Sequence, residues 1–169
     1  MIEEPPDTLT GSRELLLAYL DYYRATLLRK LDGLSEDDLR TSRVPSGWTP
    51  LGMLKHLAFV ERCWFRWGFA AEQVDEIWGE QVPDSRVWHV RPDESPDEIR
   101  TLFLDECARS REIVASADLQ DPARAGGGFN PPDHQPALDW ILFHVLQEYA
   151  RHVGQLDVVR ELTDGATGQ

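Results

Sequence analysis

The sequence predicts an all-α protein folded as a four-helix bundle. Four segments repeat apolar residues at a period of about 3.5 to 3.6, which is typical of helices that bury one face. No segment alternates apolar and polar residues as a half-buried strand does. The chain has 169 residues, a length that suits one hydrophobic core, so we expect a single domain over residues 1–169.

The first helix is predicted over about residues 10–32, with Gly33 ending it. A short turn, Ser35 to Leu39, is expected to follow. The apolar residues at helical spacing that should face the core are Leu16, Leu20, Tyr23, Leu27, Leu31 and Leu34.

The other three helices begin or end at capping residues. Thr49 followed by Pro50 is typical of a helix start, and Ser95 with Glu98 three residues later forms a capping box. Gly165 is expected to end the last helix. The predicted ranges are about 50–71, 96–119 and 136–163.

Two connections differ from short interhelical loops. The connection over about residues 72–94 is long, so the second and third helices need not be antiparallel neighbours. The connection before the fourth helix, AGGGFNPPDH, mixes glycines and prolines. Its run Gly126–Gly128 lacks the Lys and Ser or Thr of a phosphate-binding loop, and no strand precedes it. We expect both connections to line or cover a pocket.

The charge balance argues against binding to nucleic acids or to anionic membranes. Lys and Arg number 17 against 30 Asp and Glu, which gives a net charge of −13. No apolar run reaches the roughly 18 residues of a membrane span. The acidic N-terminus lacks the regions of a secretory signal, so we expect a cytoplasmic protein. Cys63 and Cys107 are too far apart for a thiolate zinc site and are expected to be reduced core thiols.

Two polar residues lie on or beside the apolar stripe of the fourth helix. Glu148 precedes His152 by four residues, so the two side chains lie about 40° apart around the axis and about 6 Å apart along it. They can therefore share one ligand. Apolar residues surround Glu148 in the sequence, and an unpaired buried carboxylate is costly. The full stripe is Leu138, Leu142, Val145, Tyr149, His152, Leu156 and Val159.

His56 holds a similar position in the second helix, between Met53 and Val60 on the stripe that continues to Cys63 and Trp67. A divalent cation bound by His56, Glu148 and His152 would compensate the carboxylate charge and use both imidazoles as neutral ligands. Three protein ligands leave positions open for water or substrate, as in a catalytic site. The spacing alone also allows hydrogen-bonded core histidines and a simple helix ion pair.

Other polar and aromatic residues near these positions have two interpretations each. His144 could pair with Glu148 in place of His152, but the two histidines lie about 12 Å apart along the axis and cannot bind one ion. His144, Gln155 and Asp157 are also candidates for contacting the ligands from outside. For Gln155 and Asp157 the other interpretation, which we favour, is a surface or interhelix contact. The tryptophans expected either in the core or along a substrate pocket are Trp48, Trp64, Trp67 and Trp88.

Two long segments resemble a known superfamily. WTPLGMLKHLAFVERCWFRWGFA and LDWILFHVLQEYARHVGQLDVVRELTDGATG are similar to the second and fourth helices of the DinB/YfiT-like metal-binding four-helix proteins. Many members have a His in the second helix and a His-x-x-x-His pair followed by Gly-Gln in the fourth; here Glu148 stands at the first position of that pair. The resemblance implies an up-down-down-up arrangement and the ligands His56, Glu148 and His152. This donor set suits Zn²⁺ or Ni²⁺ first, with Mn²⁺ and Fe²⁺ also compatible.

The resemblance also implies a function. Relatives include thiol-dependent S-transferases and a maleylpyruvate isomerase that use mycothiol or bacillithiol, and many are dimers. We therefore expect a metal-dependent S-transferase or isomerase, possible as a homodimer, in which the metal activates the thiol of a mycothiol-type cosubstrate towards a small molecule. Two alternatives stay open, namely a metal-dependent hydrolase and a non-catalytic stress protein that binds a metal or small ligand. No general base can be named from the sequence.

Overall fold

The computed structural model describes residues 3–77, 88–131 and 134–167, and within these ranges it is helical. Isolated β-bridge residues, among them the pair Pro122 and Ala137, but no strand occur among the described residues. The all-α prediction is therefore confirmed. No helix in the described ranges is long and apolar enough to cross a membrane. The helices are α1 (Ser12–Leu31), α2 (Glu36–Arg40), α3 (Pro50–Glu61), α4 (Pro96–Ala115) and α5 (Leu138–Asp164), and α3 continues directly into a π-helical segment, Arg62–Phe69.

Contacts at the two ends of α1 and α4 show that these helices are antiparallel. Arg13, near the start of α1, donates to the carbonyl oxygen of Val114 at the end of α4. Arg100, near the start of α4, pairs with Asp32 immediately after α1 at 3.2 Å. The chain therefore runs up through α1 and down through α4.

Helix α3 runs parallel to α4. Lys55 in the first half of α3 pairs with Glu94, just before α4, at 2.7 Å. Arg62, at the end of α3, pairs with Glu106 in the middle of α4 at 2.7 Å. Two parallel helices that follow each other along the chain need a long connection between them, which agrees with the number of residues between the π helix and α4.

Helix α5 runs parallel to α1. Arg160, near the end of α5, donates to the carbonyl oxygen of Lys30 near the end of α1 at 2.7 Å. Towards the starts of the same helices, Leu20 and Leu142 line a common cavity. With α1 and α5 in one direction and α3 and α4 in the other, the bundle has the up-down-down-up arrangement that the resemblance implied.

The predicted caps form, and the capping box of Ser95 and Glu98 is complete. Helix α4 ends at Ala115, four residues before the predicted boundary, because Arg13 binds the carbonyl oxygens of Val114 and Ala117 and the chain then turns. Two other boundaries differ from the predicted ones. Helix α5 begins at Leu138, since Ala137 just before it forms a β-bridge with Pro122. The predicted turn at 35–39 is the short helix α2, which Ser35 caps.

The buried faces follow the predicted stripes with two corrections. All seven stripe residues of α5 are buried. In α1, Arg24 faces the core where Tyr23 was expected, and Tyr23 and Leu34 are only half-buried. Trp67 is also half-buried, because hydrogen bonds in a π helix run to the fifth residue and rotate later side chains away from the 3.6-residue period.

A network of charged and hydrogen-bonded side chains lies inside the bundle. Arg24 donates two hydrogen bonds of 2.8 Å to the carboxylate of the fully buried Glu61. The hydroxyl of Tyr149 donates to the same carboxylate at 2.6 Å. Burial alone would raise the pKa of Glu61, but the charge and hydrogen bonds of Arg24 and the bond from Tyr149 lower it below the ordinary value. The network links α1, α3 and α5 just below the candidate metal ligands.

Candidate metal site

The structure brings together the three ligands predicted from the sequence. His56 on α3 meets Glu148 and His152 on the antiparallel helix α5, and one donor atom from each residue lies within 4.8 Å of the other two. Nε2 of His56 is 4.0 Å from Oε2 of Glu148, and Nε2 of His152 is 3.1 Å from the same oxygen. The cluster is largely enclosed, with side chains 11%, 17% and 9% exposed for His56, Glu148 and His152.

His56 is a buried polar group whose hydrogen bonding is incomplete. Neither ring nitrogen has a hydrogen-bond partner within the described part of the chain. Burial, with a smaller effect from His152, lowers the pKa of His56 to about 3, so the ring is neutral and carries a lone pair at physiological pH. Buried polar groups nearly always have a hydrogen-bond partner or another ligand. The Nε2 atom of His56, which faces Glu148, is therefore available to bind a ligand.

His152 contacts an oxygen with each of its two nitrogens. Nδ1 is 3.0 Å from Oε1 of Gln155, and Nε2 is 3.1 Å from the carboxylate of Glu148. A neutral imidazole has only one N–H, so in the tautomer that donates to Gln155 the Nε2 lone pair faces the carboxylate. In that tautomer a cation can bind between Nε2 and the carboxylate. Gln155 then holds the ring from outside, as the partner of a metal-bound His usually does.

Glu148 carries a negative charge into this enclosed region. The basic side chains within 4.0 Å of its carboxylate, among the described residues, are all histidines, namely His56, His152 and, at 3.9 Å, His144. No Lys or Arg of the described ranges pairs with it, although Arg24 and Arg62 each neutralise a nearby glutamate. The carboxylate therefore suits a bound cation as its counter-ion.

The donor set fits a divalent transition metal. Two imidazole nitrogens and one carboxylate oxygen bind Zn²⁺, Ni²⁺, Fe²⁺ or Mn²⁺, with bonds of about 2.0 to 2.2 Å for zinc. Donor atoms around one ion then lie about 3 to 4 Å apart, so the present spacing needs only a small contraction. Three protein ligands leave coordination positions open.

Comparison with known families agrees with this geometry. The chain matches the family model described as mycothiol S-transferase over residues 15–165. It belongs to this family. The membership confirms the resemblance to the DinB/YfiT-like superfamily. No curated protein matches the chain.

Trp88 covers one side of the site in this mycothiol S-transferase family member. Its ring stacks on His56, with centroids 4.2 Å apart and an interplanar angle of 10°, and meets the edge of His152. Gly52 lets the backbone of Trp88 approach α3, since a Cβ at Gly52 would lie 2.3 Å from the carbonyl oxygen of Trp88. Lys55 then binds the carbonyl oxygen of His89 at 3.0 Å. The sequence analysis missed the roles of Gly52 and Lys55; a glycine and a buried lysine within an apolar helix are the signals that could have indicated them.

Gly52→Ala should displace Trp88 from His56. The added methyl overlaps a backbone oxygen, which cannot rotate away as a side chain can, so we expect a loss of about 1 to 3 kcal/mol in the free energy of unfolding. Chemical denaturation measures the loss, and tryptophan fluorescence reports the movement. Gly154→Ala is the control, because a Cβ there meets nothing within 4 Å. Equal stabilities for the two variants would show that the close approach is unimportant.

The other aromatic residues lie on the side of the site near His144. The centroid of the His144 ring is 4.1 Å from that of Trp64. The His144 ring also stacks on the ring of Trp140. His144 also reaches Glu148 at 3.9 Å, so it contacts the ligand set without joining it.

Two further expectations resolve differently. Asp157 pairs with Lys30 on α1, which is the interhelix contact that was one of its two interpretations. The glycine run packs on the end of the π helix, where a Cβ at Gly127 would lie 1.8 Å from the carbonyl oxygen of Trp67. The absence of a side chain in these glycines allows their backbone to lie close to the backbone of the π helix.

Proposed function

We propose that this chain is a cytoplasmic, metal-dependent mycothiol S-transferase or isomerase whose metal is held by His56, Glu148 and His152. The family membership supports a mycothiol-related transferase. The observation that carries the metal is the buried, unpartnered His56 beside a carboxylate whose described partners are all histidines. The donor set favours Zn²⁺ or Ni²⁺ as the metal and is also compatible with Mn²⁺ and Fe²⁺.

The reactive sulfur is expected to come from the cosubstrate. Cys63 and Cys107 are both buried. Burial raises the pKa of Cys63 to about 12, and burial together with the charge of Glu61 also raises the pKa of Cys107. Neither thiol forms a thiolate near neutral pH, and the thiolate is the nucleophilic form.

The chemistry at the site then divides between the ion and the protein. A bound divalent cation supplies Lewis acidity that lowers the pKa of the cosubstrate thiol. His56, Glu148 and His152 position that cation, and Trp88 limits access of water from one side. In the transfer, a carbon–sulfur bond forms between the thiolate and an electrophilic carbon. The bond to the leaving group breaks with its electron pair, and the thiol proton passes to solvent.

The test measures turnover of a small electrophile with all combinations of metal and mycothiol. We expect product only when both are present. Turnover of model esters or amides without thiol would contradict the proposal in favour of a metal-dependent hydrolase. Metal binding with no turnover across an electrophile series would leave the non-catalytic stress protein as the better interpretation.

A further inference from the structure

A pocket of about 560 Å³ opens beside the candidate metal site. It lies between the loop that precedes α3 and the segment that carries Trp88. Its volume falls in the range of about 300 to 1,000 Å³ that small-molecule sites occupy. The residues that line it are Arg40, Ser46, Gly47, Trp48, Thr49, Trp88, His89 and Val90.

The pocket combines aromatic rings with hydrogen-bonding groups. Trp48 and Trp88 lie with their ring centroids 6.1 Å apart. Thr49 accepts a bond from the Gly52 N–H, which leaves its own hydroxyl hydrogen free to donate to a ligand, and Ser46 adds a second hydroxyl. Indole rings pack on the C–H faces of a sugar, while hydroxyl groups of the protein bind hydroxyl groups of the ligand.

The charge of the lining argues against an anionic ligand. Arg40 is paired with Glu36 at 3.1 Å and also donates to the carbonyl oxygens of Arg91 and Glu94. Its guanidinium is thus already engaged. A phosphate or carboxylate would find no unpaired Lys or Arg in the described lining. The described lining is therefore suited to a neutral polyhydroxylated group.

Trp88 connects this pocket with the metal ligands. The same side chain lines the pocket and stacks on His56. Gly52 and Lys55 fix the backbone of that segment on α3, so the separation between pocket and site is set by the fold. A molecule in the pocket would therefore contact the same residue that packs on His56.

We propose that this pocket binds the sugar part of the thiol cosubstrate. The inference rests on the proposed function: mycothiol carries its thiol on a neutral glucosaminyl-inositol group, which is the class of ligand that the lining suits. Trp48 is assigned as the residue that recognises this group, and it acts on cosubstrate specificity without binding the metal.

The test uses Trp48→Ala, with Phe143→Ala as a control because Phe143 is 60% exposed on α5 and is not among the pocket residues. Loss of an aromatic contact should lower kcat/KM for mycothiol relative to N-acetylcysteine, which lacks the sugar, by about tenfold. Metal content should not change. An unchanged ratio in folded Trp48→Ala overturns the assignment.

A binding measurement keeps the inference testable if no transfer activity is found. Calorimetry with N-acetylglucosaminyl-inositol, a neutral thiol-free compound, and metal-free protein should detect binding that Trp48→Ala weakens and Phe143→Ala does not. Absence of binding to the unchanged protein overturns the inference. Tighter binding of glucose 6-phosphate than of the neutral compound also overturns it, since the pocket would then select anions. Trp48→Phe, which keeps an aromatic face, should restore part of the affinity and shows that Trp48→Ala has not merely unfolded the loop.

Discussion

His56→Ala should reduce the metal content of the purified protein from about one ion per chain to a trace. The change removes the only proposed ligand on α3, and two ligands on one helix turn hold a divalent ion weakly. We expect affinity to fall by more than the roughly 10- to 100-fold that loss of a partner outside the ligand set costs. Glu148→Gln should act similarly, because it keeps the shape of the side chain and removes the charge. Elemental analysis and metal titration measure both effects.

His134→Ala is the matched control for this experiment. His134 is exposed and lies outside the cluster, so its variant should keep full metal content. Circular dichroism should show all three variants folded, because the apolar residues of the core are unchanged in each of them. Equal metal content in His56→Ala and His134→Ala would contradict the three-ligand site.

Arg24→Met should be the most destabilising single change considered for the core. It leaves Glu61 fully buried without its bidentate partner, and breaking a buried ion pair in this way typically costs about 3 to 5 kcal/mol. Urea denaturation at neutral pH measures the loss. The double variant Arg24→Met with Glu61→Leu should recover much of it, since an apolar pair needs no charge compensation.

The same pair gives an expected pH dependence. The folded pKa of Glu61 lies below its ordinary value of 4.5, so the ionised pair stabilises the fold above that pH. This stabilisation is lost as the pH falls through the lowered folded pKa. The stability difference between the unchanged protein and Arg24→Met should therefore shrink in acid. A difference that stays constant from neutral pH to pH 3 would contradict the ionised pair.

The long helices could be predicted from the sequence because their signals are local. The period of α5, the capping box at Ser95 and the proline after Thr49 each depend on neighbouring residues alone, and each matches the structure. The His56, Glu148 and His152 cluster could also be predicted, since polar residues on an apolar stripe must meet inside a bundle. Its metal and the homodimer stay predictions.

The features that the sequence analysis missed depend on contacts between distant segments. Arg24 could not be placed inside the core without knowing that Glu61 faces it from another helix, so the apolar ring of Tyr23 was the better choice on local grounds. The π-helical turn and the close approach of the Trp88 backbone to Gly52 likewise arise from packing. A further signal was available in Glu61 itself, a charge within a helix that is buried throughout.

His56 and Glu148 are separated by about ninety residues of chain, and they meet only where α3 and α5 pack antiparallel. Neither a fragment ending after the π helix nor one beginning at α5 contains the site. Metal capture therefore belongs to the end of folding, after the long-range contacts have formed. We therefore expect a bound ion to slow unfolding and leave the refolding rate nearly unchanged, which is the pattern for contacts that form after the transition state.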